Sequence, residues 1–593
     1  MAALGDSYTK RIQGDRTKNI EAAINAYHQA LQVISYNEHP EVWQHLVVQI
    51  ALATETPPQV LFEGIRFFGD VIIYIQQHGG EPKAIYRFLV DNIDKLNVNL
   101  LNAIPIAAPA LLADSDEDGQ VFMANSIGEF GDFIAQFPLG QPSINAELAI
   151  AAYNQTLRIL TQEKRPVEWA LSMTNLANVY CTRIKGSRAQ NIEEAIAAFQ
   201  QALQVMTRDA MPVEWAQVMN NLASAYSSRI EGDRAQNIEE AIAAYQKVLQ
   251  VRTRESMPIE WAATMANLAH AYSERIEGEP RQNIEKAIDF YQQSLQVRTR
   301  EAMPTEWAQV MTELGAAFRS RIEGSPAQNI EEAISAYQQA LQVRTRDTMP
   351  DEWARTTVGL ANAYFNRIRG DRAQNIENAI EAYQQALQII TKDTFPIDWA
   401  LAKNGLASAY RNRIKGDRAQ NIENAIDAFQ ESLQVRTRSA MPIQWAQTMN
   451  NLAIAYASRL RGNKEQNIEE AISTIRKSLQ VMTREVLPSD WALATNNLAN
   501  VYYERVRGNR ANNIEQAITE YHLALEIYTL DEFPRDWARI QNNLGIAYNI
   551  RIRGDRAENL EHSITSYYLA LQIFTREAFP IDWATTQHNL ATA

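Results

Sequence analysis

A chain of 593 residues has room for several globular domains, but its single cysteine, Cys181, excludes an intrachain disulfide and fits a reducing, cytoplasmic setting. With 56 Lys and Arg against 70 Asp and Glu, the net charge of −14 disfavours non-specific nucleic-acid binding. No secretory signal peptide is expected at the start, and the most apolar stretch, Val98 to Ala113, is short and interrupted by Pro105 and Pro109, which argues against a membrane span.

Residues 1–43 read as a partial copy of a pattern that fills most of the chain. Leu4, Tyr8, Arg11, Ile12, Gly14 and Asn19 line up with Leu222, Tyr226, Arg229, Ile230, Gly232 and Asn237 further on. Met1 then falls in the middle of a first helix. Residues 44–140 break the period. Pro57-Pro58 and Gly79-Gly80 punctuate apolar runs such as Val60 to Ile75, so a compact all-helical insert of roughly four to six helices is expected there.

From 141 to 593 the repeat is strict. Ten tryptophans, from Trp169 to Trp583, are spaced by 46 residues without a slip, and Trp43 has similar surroundings. A fixed period of this kind means stacked supersecondary units. In the unit that starts at Trp215, apolar residues follow at steps of three and four to Ile230, one face of a first helix. Ile238 to Leu249 shows the same spacing and predicts a second helix. Pro212 suits the first helical position, and Glu214 puts a carboxylate in the first turn, where only Gln444 among the units lacks one. Met211 is expected as a staple contact. Gly232 suits a left-handed stop of the first helix; Asn237 reads as the N-cap of the second, with Glu240 completing a capping-box-like pattern. Each unit is thus a helical hairpin that cannot bury both apolar faces alone. A buried indole hides about 150–250 Å², about 4–6 kcal/mol before ordering costs, so Trp353→Ala is expected to cost about 3–5 kcal/mol.

The order of small and large positions, Leu222, Ala223, Tyr226, Ala241, Tyr245 and Pro258, resembles the tetratricopeptide repeat, with Gly315 and Gly545 where that family often has glycine. The wording RIRGDRAQNIENAIEAYQQALQ followed by FPIDWA resembles repeats of cyanobacterial tetratricopeptide proteins that often carry a caspase-like CHAT protease domain. The resemblance covers 1–43 and 141–593, and it exceeds the family's usual period through a longer loop and longer helices. It implies an all-α fold: a right-handed superhelical α-solenoid of 46-residue hairpins with an all-helical N-terminal insert. The catalytic His and Cys of the CHAT domain have no matching segment here.

No catalytic residue is expected. Cys181 lies two units from the nearest downstream histidine, His270, too far for a nucleophile and its base. His28, His39 and His45 lack metal-ligand spacing, and no cofactor is expected. Asp114, Asp116, Asp118 and Gly119 imitate the start of a calcium loop, but Asn125 stands where the bidentate carboxylate belongs, which leaves a weak calcium candidate or a solvated acidic turn. Arg229 and its equivalents at 183, 275, 321, 367, 413, 459, 505 and 551 suit the end of the first helix, pairing with nearby carboxylates or binding an anion.

Function is expected in binding. By the resemblance, a partner uses the concave face lined by first helices, two residues before and two after the repeated leucine. Those positions include Asn220 with Ser224, Ala266 with His270, Asn404 with Ser408, Asn450 with Ile454, Asn496 with Asn500, and Asn542 with Ile546. Amide side chains there can bond an extended peptide or serve neighbouring helices. The leading expectation is a non-enzymatic scaffold for a protein or peptide. The alternative is the regulatory or sensor arm of a CHAT-type protease system whose catalytic domain is absent from this chain. The sequence starts and stops within the same first helix, which fits either a piece of a longer polypeptide or head-to-tail self-association.

Overall fold

The computed structural model describes residues 2–9, 15–31, 33–34, 37–112 and 115–593. Arg11, Ile12, Gly14 and Asp114 lie outside the described residues, as does the side chain of Leu4. The described residues form α-helices, one short 3-10 turn and no strand. They divide into two compact units, Met1–Val297 and Arg298–Ala593.

The first unit begins with α1 (Ala2–Thr9), α2 (Arg16–Leu31), α3 (Pro40–Ala53), α4 (Pro58–Gln77), α5 (Pro82–Asp91), α6 (Val98–Leu112), α7 (Glu117–Ala135) and α8 (Pro142–Ile159). Three regular hairpins follow: α9 (Pro166–Thr182) with α10 (Arg188–Ala202), α11 (Pro212–Ser228) with α12 (Arg234–Val248), and α13 (Pro258–Ser273) with α14 (Pro280–Leu295). The second unit holds α15 (Pro304–Ser320), α16 (Pro326–Ala340), α17 (Pro350–Asn366), α18 (Arg372–Ala386), α19 (Pro396–Asn412), α20 (Arg418–Leu433) and α21 (Pro442–Ala457). It continues with α22 (Lys464–Ser478), α23 (Pro488–Glu504), α24 (Arg510–Leu525), α25 (Pro534–Asn549), α26 (Arg556–Leu571) and α27 (Pro580–Ala591). Within each unit the hairpins stack as an α-solenoid, with cores that run from one hairpin into the next: residues from Ala446 to Ala547 share one cluster.

The start of each first helix is as its sequence implies. Pro212 opens α11 and Glu214 lies in its first turn, beside the unpaired N–H groups. The connection that follows differs from expectation. The helix stops at Ser228, Arg229 turns extended (φ −64°, ψ 129°), and the left-handed Gly232 (φ 79°) sits three residues later inside the loop. Ile230 therefore leaves the apolar face and is 62% exposed. The N-cap of α12 is Asp233, whose Oδ1 accepts from Gln236 N at 2.8 Å. Asn237 is not the cap. It is 2% exposed, and its Nδ2 reaches back to donate to Glu231 O at 2.9 Å, tying the loop to the helix behind it. Glu240 likewise completes no capping box; it accepts from Gln236 Nε2 at 3.1 Å.

Inside a hairpin, an aromatic ring from the second helix fills a place that must be small on the first. A Cβ on Gly315 would lie 3.1 Å from the Tyr337 ring, and one on Gly545 would lie 2.7 Å from Tyr567. Between hairpins, the repeated arginine clamps a glutamate 36 residues earlier. Arg229 Nε and Nη2 donate to the two carboxylate oxygens of Glu193 at 2.7 and 2.8 Å. Arg275 with Glu239, Arg413 with Glu377 and Arg505 with Glu469 repeat this two-pronged bond. The arginine position is thus a staple between neighbours rather than a cation turned outward.

The indoles are less enclosed than a wedge between layers requires. Trp43 and Trp215 are buried, whereas Trp261, Trp353, Trp445 and Trp491 are half-buried. An arginine seven residues earlier covers the outer face of the ring, as Arg346 does over Trp353 at 5.8 Å and Arg484 over Trp491 at 5.9 Å.

The helices that break the period share a core with α8 and with Leu176 and Val179 of α9, and within it Phe68 and Phe130 lie edge-on at 5.5 Å. Helix α6 runs through Pro105 and Pro109 without stopping, so these prolines do not interrupt the apolar stretch. Among the described residues no helix is long and apolar enough to cross a membrane. Helix α7 takes the place of a first helix against α8: Gly131 approaches the Tyr153 ring, with a Cβ there 2.9 Å away, and Gly140 (φ 84°) and Asn145 repeat the loop of Gly232 and Asn237.

Candidate protein-binding groove

One stripe of each first helix is left open by the stacking. It holds the residue before the repeated leucine and the residue two after it. In the second unit, α21, α23 and α25 present Ile454, Asn497, Asn500, Asn543 and Ile546 to a cleft of about 530 Å³. In the first unit, α7, α8 and α9 enclose a like cleft of about 490 Å³, lined by Asp132, Asn145, Tyr153, Asn175 and Asn178.

The open amides link consecutive first helices. Asn543 Nδ2 donates to Asn500 Oδ1 at 3.2 Å, Asn221 Nδ2 to Asn178 Oδ1 at 2.9 Å, and Asn175 Nδ2 to Asp132 Oδ1 at 2.8 Å. Tyrosines from the second helices support the same acceptors from below: Tyr521 donates to Asn500 and Tyr383 to Asn362, each at 2.6 Å. Every such amide keeps a further donor or acceptor for a ligand.

The residues singled out from the sequence divide between two environments. Ser224 and His270 are exposed, and Asn500 and Asn542 are half-buried. Asn542 Oδ1 accepts from Asn589 Nδ2 at 3.2 Å. Asn220, Asn450 and Asn496 are buried between adjacent first helices. Asn220 Oδ1 accepts from Thr264 Oγ1 at 3.2 Å, and Asn450 Oδ1 from Asn497 Nδ2 at 3.3 Å. Asn496 is 0% exposed, with no hydrogen-bond partner for either side-chain polar atom. Asn404 is half-buried and its Oδ1 is enclosed without a partner. The position two before the leucine therefore faces the next helix, and the position one before it, Asn497 or Asn543, faces the cleft. The helical period alone does not separate two adjacent residues near the edge of a stripe; the packing angle of the neighbour does.

A second polar feature has no counterpart in the sequence reading. Arg252, Arg344 and Arg436 are buried among first helices, and each donates to a threonine: Arg252 Nη1 to Thr264, Arg344 Nη1 to Thr356, Arg436 Nη1 to Thr448, at 3.1–3.2 Å. Burial holds all three below the usual arginine range. A partial signal was present: a threonine stands twelve residues after the arginine in these three units, whereas Val218 and Ala494 stand there after Met206 and Met482, and Val310 after Arg298.

The remaining candidates have structural settings. Asp116 caps α7, its Oδ1 accepting from Gly119 N at 2.9 Å, and Asp118 lies 3.7 Å from Arg165. Gly119 and Asn125 lie within helix α7, and among the described residues no group of three or more His, Cys, Asp or Glu could hold a metal ion. Burial pushes the Cys181 thiol up to about 11. Burial, reinforced by Arg158, pulls the His28 imidazole down to about 4.

Comparisons with known proteins agree with the hairpin. Residues 215–254 match the family model of the tetratricopeptide repeat. No curated protein matches the sequence. Among solved structures, similarity extends to the Cut9–Hcn1 heterotetramer of the APC/C, at 13% identity over 87% of this chain and 98% of that one with a TM-score of 0.34. It extends also to the apo form of RapI, at 14% identity over 65% and 94% with a TM-score of 0.41. The C-terminal part of a tetratricopeptide-repeat protein from Cytophaga hutchinsonii is similar at 14% identity over 53% and 95%, with a TM-score of 0.29. Similarities this low place no ligand or partner on the chain. The family match thus covers residues 215–254, one helical hairpin, and the hairpins on either side repeat that segment's sequence pattern.

Proposed function

We propose that the protein is a non-enzymatic scaffold that binds a protein or peptide along the open stripe of its first helices, the face expected to be concave, in a reducing compartment. The observation that carries this reading is the cleft of the second unit. Ile454 and Ile546 supply apolar contact, while Asn497, Asn500 and Asn543 supply amides with spare hydrogen-bonding capacity. An extended backbone needs that combination, since its N–H and C=O groups must be satisfied when water leaves. Because Asn220, Asn450 and Asn496 are buried, the contact set of this reading is Ser224, His270, Asn497, Asn500 and Asn543.

The test is affinity capture from the source proteome with quantitative mass spectrometry, comparing the intact chain with an Asn497→Ala, Asn543→Ala, Ile546→Lys triple variant of unchanged circular dichroism. Loss of specific partners from the variant is expected. Recovery of the same proteins in the same amounts would remove the groove from the function.

A further inference from the structure

The cleft between α7, α8 and α9 departs from the array in two ways at once. At the position two after the repeated leucine, which is Phe130 in α7, it carries Asp132, where the regular first helices have no carboxylate: Asn178, Asn362 and Asn500 are amides, and the others carry Ser, His, Ala or Ile. Asp132 Oδ1 accepts from Tyr153 OH at 2.6 Å and from Asn175 Nδ2 at 2.8 Å. Among the described residues no cation lies within ion-pair distance of it, and Glu129 adds a second negative charge nearby. Burial, more than these hydrogen bonds, holds its carboxyl above the usual range.

The second departure is a missing guanidinium. In several regular hairpins the arginine that ends the first helix also donates to the asparagine of the second: Arg183 Nη1 to Asn191 at 3.4 Å, Arg229 Nη1 to Asn237 at 3.5 Å, Arg275 Nη1 to Asn283 at 3.4 Å, Arg551 Nη1 to Asn559 at 3.3 Å. Phe137 occupies that place after α7. Asn145 consequently keeps its two loop bonds through Nδ2, to Phe137 O and Leu139 O, but its Oδ1 has no hydrogen-bond partner although the residue is only 4% exposed. Asn145 lines the same cleft as Asp132. A buried acceptor left unmade is costly, and the half-buried Asp132 carboxylate has no cation to offset its partial desolvation.

We propose that this cleft is a guanidinium site: it receives an arginine side chain from a protein partner, with the Asp132 carboxylate as counter-ion and Asn145 Oδ1 as a second acceptor. The incoming group supplies from outside what Arg183, Arg229 and Arg275 supply within their own hairpins. A planar fork with five donors matches two separated acceptors better than a single ammonium does. The site rests on the protein-binding reading above.

The experiment is calorimetric titration of the full chain with acetyl-Gly-Arg-Gly-amide at low salt, against the citrulline and lysine counterparts. Citrulline keeps the shape and loses the charge. The arginine peptide is expected to bind, the lysine peptide more weakly, and the citrulline peptide weaker than arginine by about tenfold or more. Asp132→Asn, which installs the residue found at equivalent positions, should fold as the parent by circular dichroism and lose the preference for arginine. Equal binding of the arginine and citrulline peptides, equal binding of arginine and lysine, or an undiminished preference in Asp132→Asn overturns the assignment. Any of these leaves the capture result for the second-unit cleft untouched, so the two readings fail separately.

Discussion

The hairpin α7–α8 and the regular hairpin α11–α12 have the same backbone and different stitching. Both turn through a left-handed glycine, Gly140 or Gly232, and both fasten the turn with a buried asparagine that donates to a loop carbonyl. Only the second adds an arginine, Arg229, that holds its own asparagine and the glutamate of the preceding hairpin. The difference separates two jobs that the repeat usually combines. The asparagine shapes the hairpin. The arginine joins it to its neighbour, and where the neighbour is not a repeat an apolar contact takes over, as Phe137 does against the Tyr86 ring at 6.0 Å.

The contrast between irregular start and regular array can be broken at several points. The largest effect is expected at the tryptophans. Trp43→Ala, at a fully packed site, should cost about 4–5 kcal/mol, and Trp353→Ala, half-buried beneath Arg346, about 3 kcal/mol. Because a stacked array need not melt in one step, hydrogen exchange resolved by hairpin is the appropriate measurement. Equal losses at the two sites would contradict the difference in packing.

Acid should separate the regions next. His28 has its folded value lowered to about 4 from an ordinary 6.5, so the unfolded chain binds the extra proton first. Stability of the first unit should fall as the pH drops from 6.5 toward 4, by up to about 3 kcal/mol, and His28→Gln should abolish that slope. In the second unit Glu377, Glu423 and Glu469 are held below the usual range by hydrogen bonds from their arginines. Their contribution is present above the ordinary glutamate value of 4.5 and should be lost only as the pH falls below it. Thermal melts of each region between pH 7 and 3.5, followed by hydrogen exchange, distinguish the two profiles.

Smaller effects test the stitching. Asn237→Ala should cost about 2 kcal/mol, leaving a loop carbonyl and an Arg229 N–H without a partner, and Asn145→Ala about 1 kcal/mol, since no arginine is stranded there. Arg413→Met should cost about 1 kcal/mol, because both members of its clamp are partly exposed. It should also flatten the acid response of its neighbourhood below pH 4.5. Protection of the loop amides around residues 229–237 reads the first pair, and the acid melt reads the last.

Much of the fold was legible because it is local. The proline at the first helical position and the carboxylate in the first turn act within a few residues and are where the sequence puts them; the glycine takes positive φ, but inside the loop rather than at the helix stop. Other positions were misread for one reason. Ile230 and Asn237 sit at the ends of apolar periods, and periodicity does not say where the hydrogen-bonded helix stops; the loop closed three residues early and made Asp233 the cap. The open face of the first helices was legible as a polar stripe and not as a list of exposed residues. Asn220, Asn450 and Asn496 share the polar run with Asn221, Asn451 and Asn497, yet the neighbouring first helix covers the former. Helix α7 gave no sign of its role because Phe137 replaced the arginine that marks the pattern.

By itself, the sequence determined the hairpin and its 46-residue spacing, since caps, turns and the apolar face are set by neighbours along the chain. The tertiary structure decided which asparagines are buried, which glutamate each arginine grips, and that α7 completes a hairpin its motif does not announce. Those outcomes depend on the angle and distance between elements about one repeat or more apart, and that geometry exists only after the hairpins have stacked.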